Sequence, residues 1–135
     1  MDFPKVNNRN VDVLLCHEDL VRQTAEQIMK DFGMFGVEIT FSGNVDTAYD
    51  ELHQQLIGQI GELINRNYDL LVSVLYQVDI SDRDIVRTQA ELPHYSHLEV
   101  VAHQVIVRDL KKVLLRRYFK TKASSSAAGD NELEA

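Results

Sequence analysis

The sequence predicts a mostly α-helical single domain, arranged like a helical bundle of four or five helices, with one short strand or hairpin near residues 37–41. Three observations support this fold class. A length of 135 residues is typical of one domain. Apolar residues recur at helical spacing through most of the chain. Only one short segment, bounded by Gly36 and Gly43, alternates apolar and polar residues as strands do.

The composition divides the chain into three parts. Residues 1–9 contain Pro4 and several asparagines, which predict an irregular N-terminal arm. Residues 10–122 hold all the periodic apolar segments and are expected to form the single globular domain. Residues 123–135 are small, polar and acidic, which predicts a disordered acidic tail.

The first helix begins either at Asn10, as its N-cap, or near His17, and the sequence favours neither start. Its later part is clear, because one helical stripe runs up to Gly33. A glycine there is the expected C-cap, since it adopts a left-handed conformation without strain at Cβ. The stripe has the spacing of a single helix face and consists of Val21, Thr24, Ala25, Ile28, Met29 and Phe32.

The second helix is predicted from about Thr47 to Asn65, with Asn44 or Asp46 as its cap. Its apolar stripe also follows helical spacing and consists of Tyr49, Leu52, Leu56, Ile60, Leu63 and Ile64. The segment before it, residues 37–41, is β-branched and alternating. Because a lone strand cannot satisfy its own backbone groups, this segment would need a partner elsewhere in the chain or on another copy.

Residues 68–80 fit both a helix and a strand. The sequence favours the helix, because Leu70, Leu71 and Leu75 break the alternation that a strand requires. The alternative is an α+β fold in which residues 70–78 form a second strand.

Two helices are predicted after this segment. Ser81 caps a helix that runs to about Glu91, and Pro93 follows its end. Ser96 and Glu99 then match a capping box, which starts the longest helix, predicted to end at about residue 120. That helix is apolar on most of its circumference, which is typical of a central helix. It is expected to be buried among its neighbours or half covered by a partner subunit.

The charge of the chain is unevenly distributed. The formal net charge is -7, yet residues 108–122 carry seven cations and one anion, Asp109, which gives this segment +6. The remainder is acidic, with -10 on residues 1–107 and -3 on residues 123–135. A basic helix end on an acidic body is a candidate docking surface.

This pattern predicts a non-catalytic protein-interaction or assembly protein that docks through its C-terminal basic and apolar helix. The expected partner is a second copy of the chain or another subunit of a larger assembly, bound through an acidic surface. The cations are spread around the helix, which argues against a membrane surface. The expected interaction residues combine cations with apolar anchors: Arg108, Lys111, Lys112, Leu114, Leu115, Arg116, Arg117, Tyr118, Phe119 and Lys120.

Two alternatives from other classes stay open. Glu99 and His103 lie four apart, so on a helix they share a face and could both reach one metal ion, as in a metal-dependent enzyme. Their spacing matches no established motif, so we assign no metal, cofactor or catalytic residue. Residues 108–122 could instead contact phosphates in a nucleic-acid-binding accessory protein, although the acidic remainder opposes this.

The compartment is predicted from two absences in the sequence. The single cysteine, Cys16, cannot form an internal disulfide, which points to a reducing compartment. No apolar run approaches the roughly 20 residues that a membrane span needs. We therefore expect a cytoplasmic protein.

Overall fold

The structure of the chain is a computed structural model that describes residues 6–8, 10–15 and 17–134, with residues 12 and 121–134 described by their backbone alone. The mostly helical fold class is confirmed. Within the described residues, five helices have ten residues or more. The helices in chain order are α1 (Val11–Leu14), α2 (Glu18–Gly33), α3 (Ala48–Arg66), α4 (Tyr68–Val78), α5 (Asp82–Glu91) and α6 (His97–Glu134).

Helix α6 lies at the centre of the fold and contacts α2, α3, α4 and α5. Its residues 100–107 are all buried, and burial continues along the helix as far as Leu114. The apolar circumference is therefore covered by the chain's own helices over this length. The surrounding helices bury most of the apolar stripes that the sequence predicts, with Phe32 of α2, Leu56 of α3 and Val74 of α4 all fully enclosed. Ile64, at the end of the predicted α3 stripe, is 40% exposed.

The two predicted starts of the first helix are both used, each by a separate helix. Asn10 precedes α1 and His17 precedes α2. The predicted C-cap at Gly33 is wrong, because this glycine is the last helical residue and Gly36 adopts the positive φ of 75°. The chain makes an extra turn there, in which the Val37 N–H donates to the Phe32 carbonyl at 3.1 Å.

The strand predicted for residues 37–41 is not formed, since none of the described residues lies in a strand. The alternation behind the prediction is nevertheless present in the burial pattern. Val37 and Ile39 are buried, while Glu38 and Thr40 are exposed. The segment therefore packs one face on the core as an edge strand would, without a neighbouring strand.

Side chains of α3 take the place of a second strand. Before α3 there is a short 3-10 turn, Val45–Thr47, which Asn44 caps. The helix α3 itself follows Thr47 without a side-chain cap, so the predicted capping of this helix by Asn44 or Asp46 is wrong. Gln55 accepts from the Thr40 N–H at 2.9 Å and donates to the Thr40 carbonyl at 2.7 Å. Gln59 donates to the Glu38 carbonyl at 3.0 Å. These glutamines satisfy backbone groups that a sheet would otherwise pair.

Residues 68–78 form the helix α4, so the alternative with a second strand over 70–78 is wrong. Asn67 caps α4 by accepting from the Leu70 N–H at 3.1 Å. The helix ends at Asp79, whose φ of 75° places it in the left-handed region. A short polar side chain tolerates that conformation better than an apolar one.

Both predicted helix starts after α4 are confirmed. Ser81 forms a capping box with Asp84 at the start of α5. At the start of α6, Glu99 accepts from the Ser96 N–H at 2.8 Å, and the Ser96 hydroxyl accepts from the Glu99 N–H at 3.2 Å. The backbone of α6 continues past residue 120, the predicted end.

The predicted terminal parts lie partly outside the described residues. Of the arm, residues 6–8 are described: Val6 is buried, and Asn8 donates to Glu91 of α5 at 3.0 Å. The side chains of the predicted tail, residues 123–135, lie outside the described residues. The disorder of that tail stays a prediction.

Replacing Gln55 by alanine tests the contact between α3 and residues 37–41. The change removes both hydrogen bonds to the Thr40 backbone. We expect the free energy of unfolding to fall by about 1 kcal/mol, because water replaces these bonds only in part. Urea denaturation followed by circular dichroism measures this. Gln54→Ala is the matched control, since Gln54 is exposed on the same helix. Equal losses in the two variants would contradict the assigned role of Gln55.

Candidate functional site

The structure divides the predicted interaction residues into an internal and an exposed set. Leu114 is only 6% exposed, so it belongs to the core and is not available as an anchor. Arg108 donates to Asp79 at 2.6 Å and thereby joins α6 to the C-terminal end of α4. Lys111 is half-buried, and this burial, together with the cations Arg87 and Arg108, lowers the pKa of its ammonium group.

Lys112 is also internal. Its Nζ atom lies 3.1 Å from Asp31 Oδ2 and 3.3 Å from Asp109 Oδ1, and it donates to the Gln77 carbonyl at 3.1 Å. One ammonium group thereby joins α2, α4 and α6. Lys112 therefore serves the fold, and a role in steering a partner stays a prediction.

The exposed set lies beyond Leu114, where most residues of α6 are exposed although α2 still lies beside the helix. Leu115 is 38% exposed and Phe119 is 60% exposed. The ring of Tyr118, which is half-buried, packs edge-on against Phe119 with 5.4 Å between the ring centroids. The cations of this stretch, Arg116, Arg117 and Lys120, are all exposed.

These cations border a groove of about 510 Å³ between α2 and α6. Each wall presents four residues spaced i, i+3, i+4 and i+7, which places them along one helix face. The α2 wall consists of Gln23, Glu26, Gln27 and Lys30; the α6 wall consists of Val113, Arg116, Arg117 and Lys120. We call this feature the basic groove. Sequence reasoning missed Lys30, because nothing local indicates that α2 lies beside the end of α6.

The groove collects cations that lack an ion-pair partner. Five cations with described side chains form ion pairs with carboxylates: Arg22, Arg66, Arg87, Arg108 and Lys112. Among the same described side chains, six cations form none: Lys30, Arg83, Lys111, Arg116, Arg117 and Lys120. Four of those six line the basic groove. Among the described side chains, Glu26 is the one carboxylate on the groove walls, so an anion in the groove would meet a net positive charge.

A buried carboxyl pair, Asp31 of α2 and Asp109 of α6, lies next to the groove. Neither residue is exposed, and no well-aligned donor among the described residues reaches either Asp109 oxygen. Burial, with the hydrogen bond and charge of Asp31, raises the pKa of Asp109 well above its ordinary value, although Lys112 opposes this. The raised pKa favours the protonated form of Asp109 beside the Asp31 carboxyl group.

Glu99 and His103, the candidate metal ligands, have other partners in the structure. The Glu99 carboxylate caps α6 through Ser96, and these hydrogen bonds lower the pKa of Glu99. The His103 Nδ1 atom hydrogen-bonds the Tyr49 hydroxyl. Over the part of the chain that the structure describes, no group of three His, Cys, Asp or Glu side chains is placed to hold a metal ion.

His103 belongs instead to an aromatic cluster between α3 and α6. Tyr49 stacks on His53 with 5.0 Å between centroids, and Tyr95 meets His103 edge-on at 5.7 Å. The His53 Nε2 atom hydrogen-bonds the Glu99 carbonyl at 2.9 Å. Burial, and then the charge of His53, lower the pKa of His103 to about 4. His53 was missed from sequence, although its place beside Leu52 in the buried stripe was a signal.

No protein-family model, curated protein or solved structure matches the chain. In the described part of the chain, no helix combines the length and the apolar character that crossing a lipid bilayer requires. A function therefore has to be argued from the residues of the basic groove and its surroundings.

Replacing Asp109 by asparagine tests the raised pKa of Asp109. Because the folded pKa is raised, the stabilisation is complete below the ordinary pKa and is lost as the pH rises through the raised value. Relative to Asp109→Asn, we expect the unfolding free energy of the wild type to fall by up to about 1.4 kcal/mol per pH unit in that window. Urea denaturation from about pH 5 to about pH 9 measures the difference.

The matched control for Asp109 is Asp19→Asn, since Asp19 is exposed near the start of α2. Its stability profile should run parallel to that of the wild type. Parallel profiles for the wild type and Asp109→Asn would show that Asp109 is ionised in the folded chain.

Replacing His103 by glutamine tests the lowered pKa of this buried imidazole at acidic pH. A folded pKa of about 4 lies below the ordinary 6.5, so this stabilisation is present above pH 6.5 and is lost as the pH falls toward 4. Across this range we expect the wild type to lose about 2 kcal/mol more than His103→Gln. Thermal and urea unfolding at both ends of the range measure this. His97→Gln, at an exposed histidine, should behave as the wild type.

Proposed function

We propose that the chain is a non-catalytic protein-interaction or assembly protein that docks on an acidic protein surface through the exposed end of α6. The observation that supports this is the basic groove. Of the six cations with described side chains that form no ion pair, four line this groove, in a chain of net charge -7. Leu115 and Phe119 are exposed on the same end of the helix and supply apolar contact area.

The two kinds of residue have different tasks in the proposed complex. Lys30, Arg117 and Lys120 orient an approaching acidic surface and increase its association rate, as charges at the rim of an interface do. Phe119 and Leu115 slow dissociation by burying apolar area, since aromatic anchors dominate interface energies. The predicted residues Arg108, Lys112 and Leu114 have no part in it, because they hold the fold together.

A second copy of the chain is the simplest acidic partner. Residues 1–107 carry a net charge of -10, so the body of one copy complements the basic groove of another. The chain would then work as a homo-oligomer or as one subunit of a larger assembly. We place that assembly in the cytoplasm, because a single cysteine suits a reducing compartment.

The double reversal Arg117→Glu with Lys120→Glu tests this proposal. We expect self-association at low salt to weaken at least about tenfold, because two attractive contacts become repulsive. Light scattering coupled to gel filtration, at low and at high salt, gives the solution mass. The same charge change at Arg66 and Arg83, which are exposed outside the groove, is the matched control. Wild-type protein that is monomeric at both salt concentrations would remove the second copy as partner.

A further inference from the structure

We propose that the basic groove is a carboxylate-binding site for an acidic helical segment of a partner protein, with Arg116 held ready by Gln27. This inference rests on the proposed function and names the chemistry of the docked group. It is carried by a chain of contacts that runs from the buried core to the groove.

Two buried side chains, Gln27 and Asp31, orient Arg116. Its Nη1 atom donates to Gln27 Oε1, and Gln27 Nε2 donates to Asp31 Oδ1 at 2.9 Å. Asp31 is itself held by Lys112 at 3.1 Å. The Asp31 oxygen accepts this hydrogen bond, so the amino end of the Gln27 amide points toward Asp31 and the carbonyl end toward Arg116. Gln27 is 8% exposed, so burial keeps this arrangement in place.

The guanidinium of Arg116 keeps most of its donors for a ligand. A guanidinium has about five N–H donors, and the described residues engage one of those of Arg116. A carboxylate takes two of them in parallel, which is the strongest geometry available to an arginine. Because Gln27 already holds the planar group, less side-chain freedom is lost when the carboxylate binds.

The placement of the other cations suits a helical ligand. Arg116 and Lys120 lie four apart on α6, and Lys30 lies on the opposite wall, on α2. A helix laid in the groove presents side chains at i, i+3, i+4 and i+7, so glutamates at these positions would meet the cations one by one.

The groove fits a protein segment better than a nucleic-acid strand. Glu26 lies on its α2 wall, where the unbroken phosphates of a strand would meet a negative charge. A peptide can place a neutral residue opposite Glu26. The acidic body of the chain would also repel the phosphates that extend beyond the groove.

The test uses the whole chain and a labelled, alanine-based helical peptide with glutamates at i, i+3, i+4 and i+7. A second peptide carries glutamines at those positions. Fluorescence anisotropy at low salt measures the dissociation constants. We expect the glutamate peptide to bind at least about tenfold more tightly than the glutamine peptide, and Arg116→Gln to lose about that factor.

Gln27→Met isolates the positioning role, because it removes the acceptor for Arg116 without changing the net charge. We expect it to weaken binding about fivefold. Gln23→Met, on the same wall but exposed, is the matched control and should bind as the wild type. Should Gln27→Met not fold, Arg116→Lys retains the charge and loses the planar fork, and should weaken binding to a similar extent.

Three results would overturn the inference. They are equal binding of the two peptides, wild-type affinity in Gln27→Met together with Arg116→Lys, and tighter binding of a short DNA duplex than of the glutamate peptide. The proposed function fails separately. If Arg117→Glu with Lys120→Glu abolishes self-association while the glutamate peptide does not bind, only the carboxylate-site inference is wrong.

Discussion

The enclosure of α6 by its neighbours is the constraint on which the rest of the structure depends. Between Val100 and Leu114 the helix is covered on almost every side, so polar side chains there must find partners in adjacent elements. His103 takes its partner from α3, Gln104 from α5, and Lys112 from α2 and α4. Apolar contact is non-directional. These polar contacts therefore help to fix each neighbouring helix in position against the centre.

The same enclosure separates structural from available charge. A buried charge without a partner is very costly. Arg108 and Lys112, on the covered length of α6, are paired, and the half-buried Lys111, which forms no ion pair among the described side chains, has a lowered pKa. Beyond Leu114 most residues of α6 are exposed, so cations there face solvent and the basic groove. The position at which α6 leaves the core thus divides one basic segment into a part that holds the fold and a part that can meet a partner.

The helices were predictable because their signals are local. The apolar stripe of α2, the capping box of Ser96 and Glu99, and the helical preference of residues 68–80 all depend on residues within a few positions of one another. The strand over 37–41 was not correctly predicted, because alternation reports which side chains are buried and not what pairs the backbone. The pairing groups are Gln55 and Gln59, which lie on a helix and carry no sheet signal.

The sequence by itself determined the helical fold class, the central place of α6 and the position of the basic segment, since composition and short-range spacing set these properties. Only the tertiary structure decided which cations are available, why the pKa of Asp109 is raised and why that of His103 is lowered. The contacts responsible join distant residues: Lys112 with Asp31 across 81 positions, and Arg116 with Gln27 across 89. Burial and proximity set charge and pKa, and both arise only when α2, α3 and α4 close around α6.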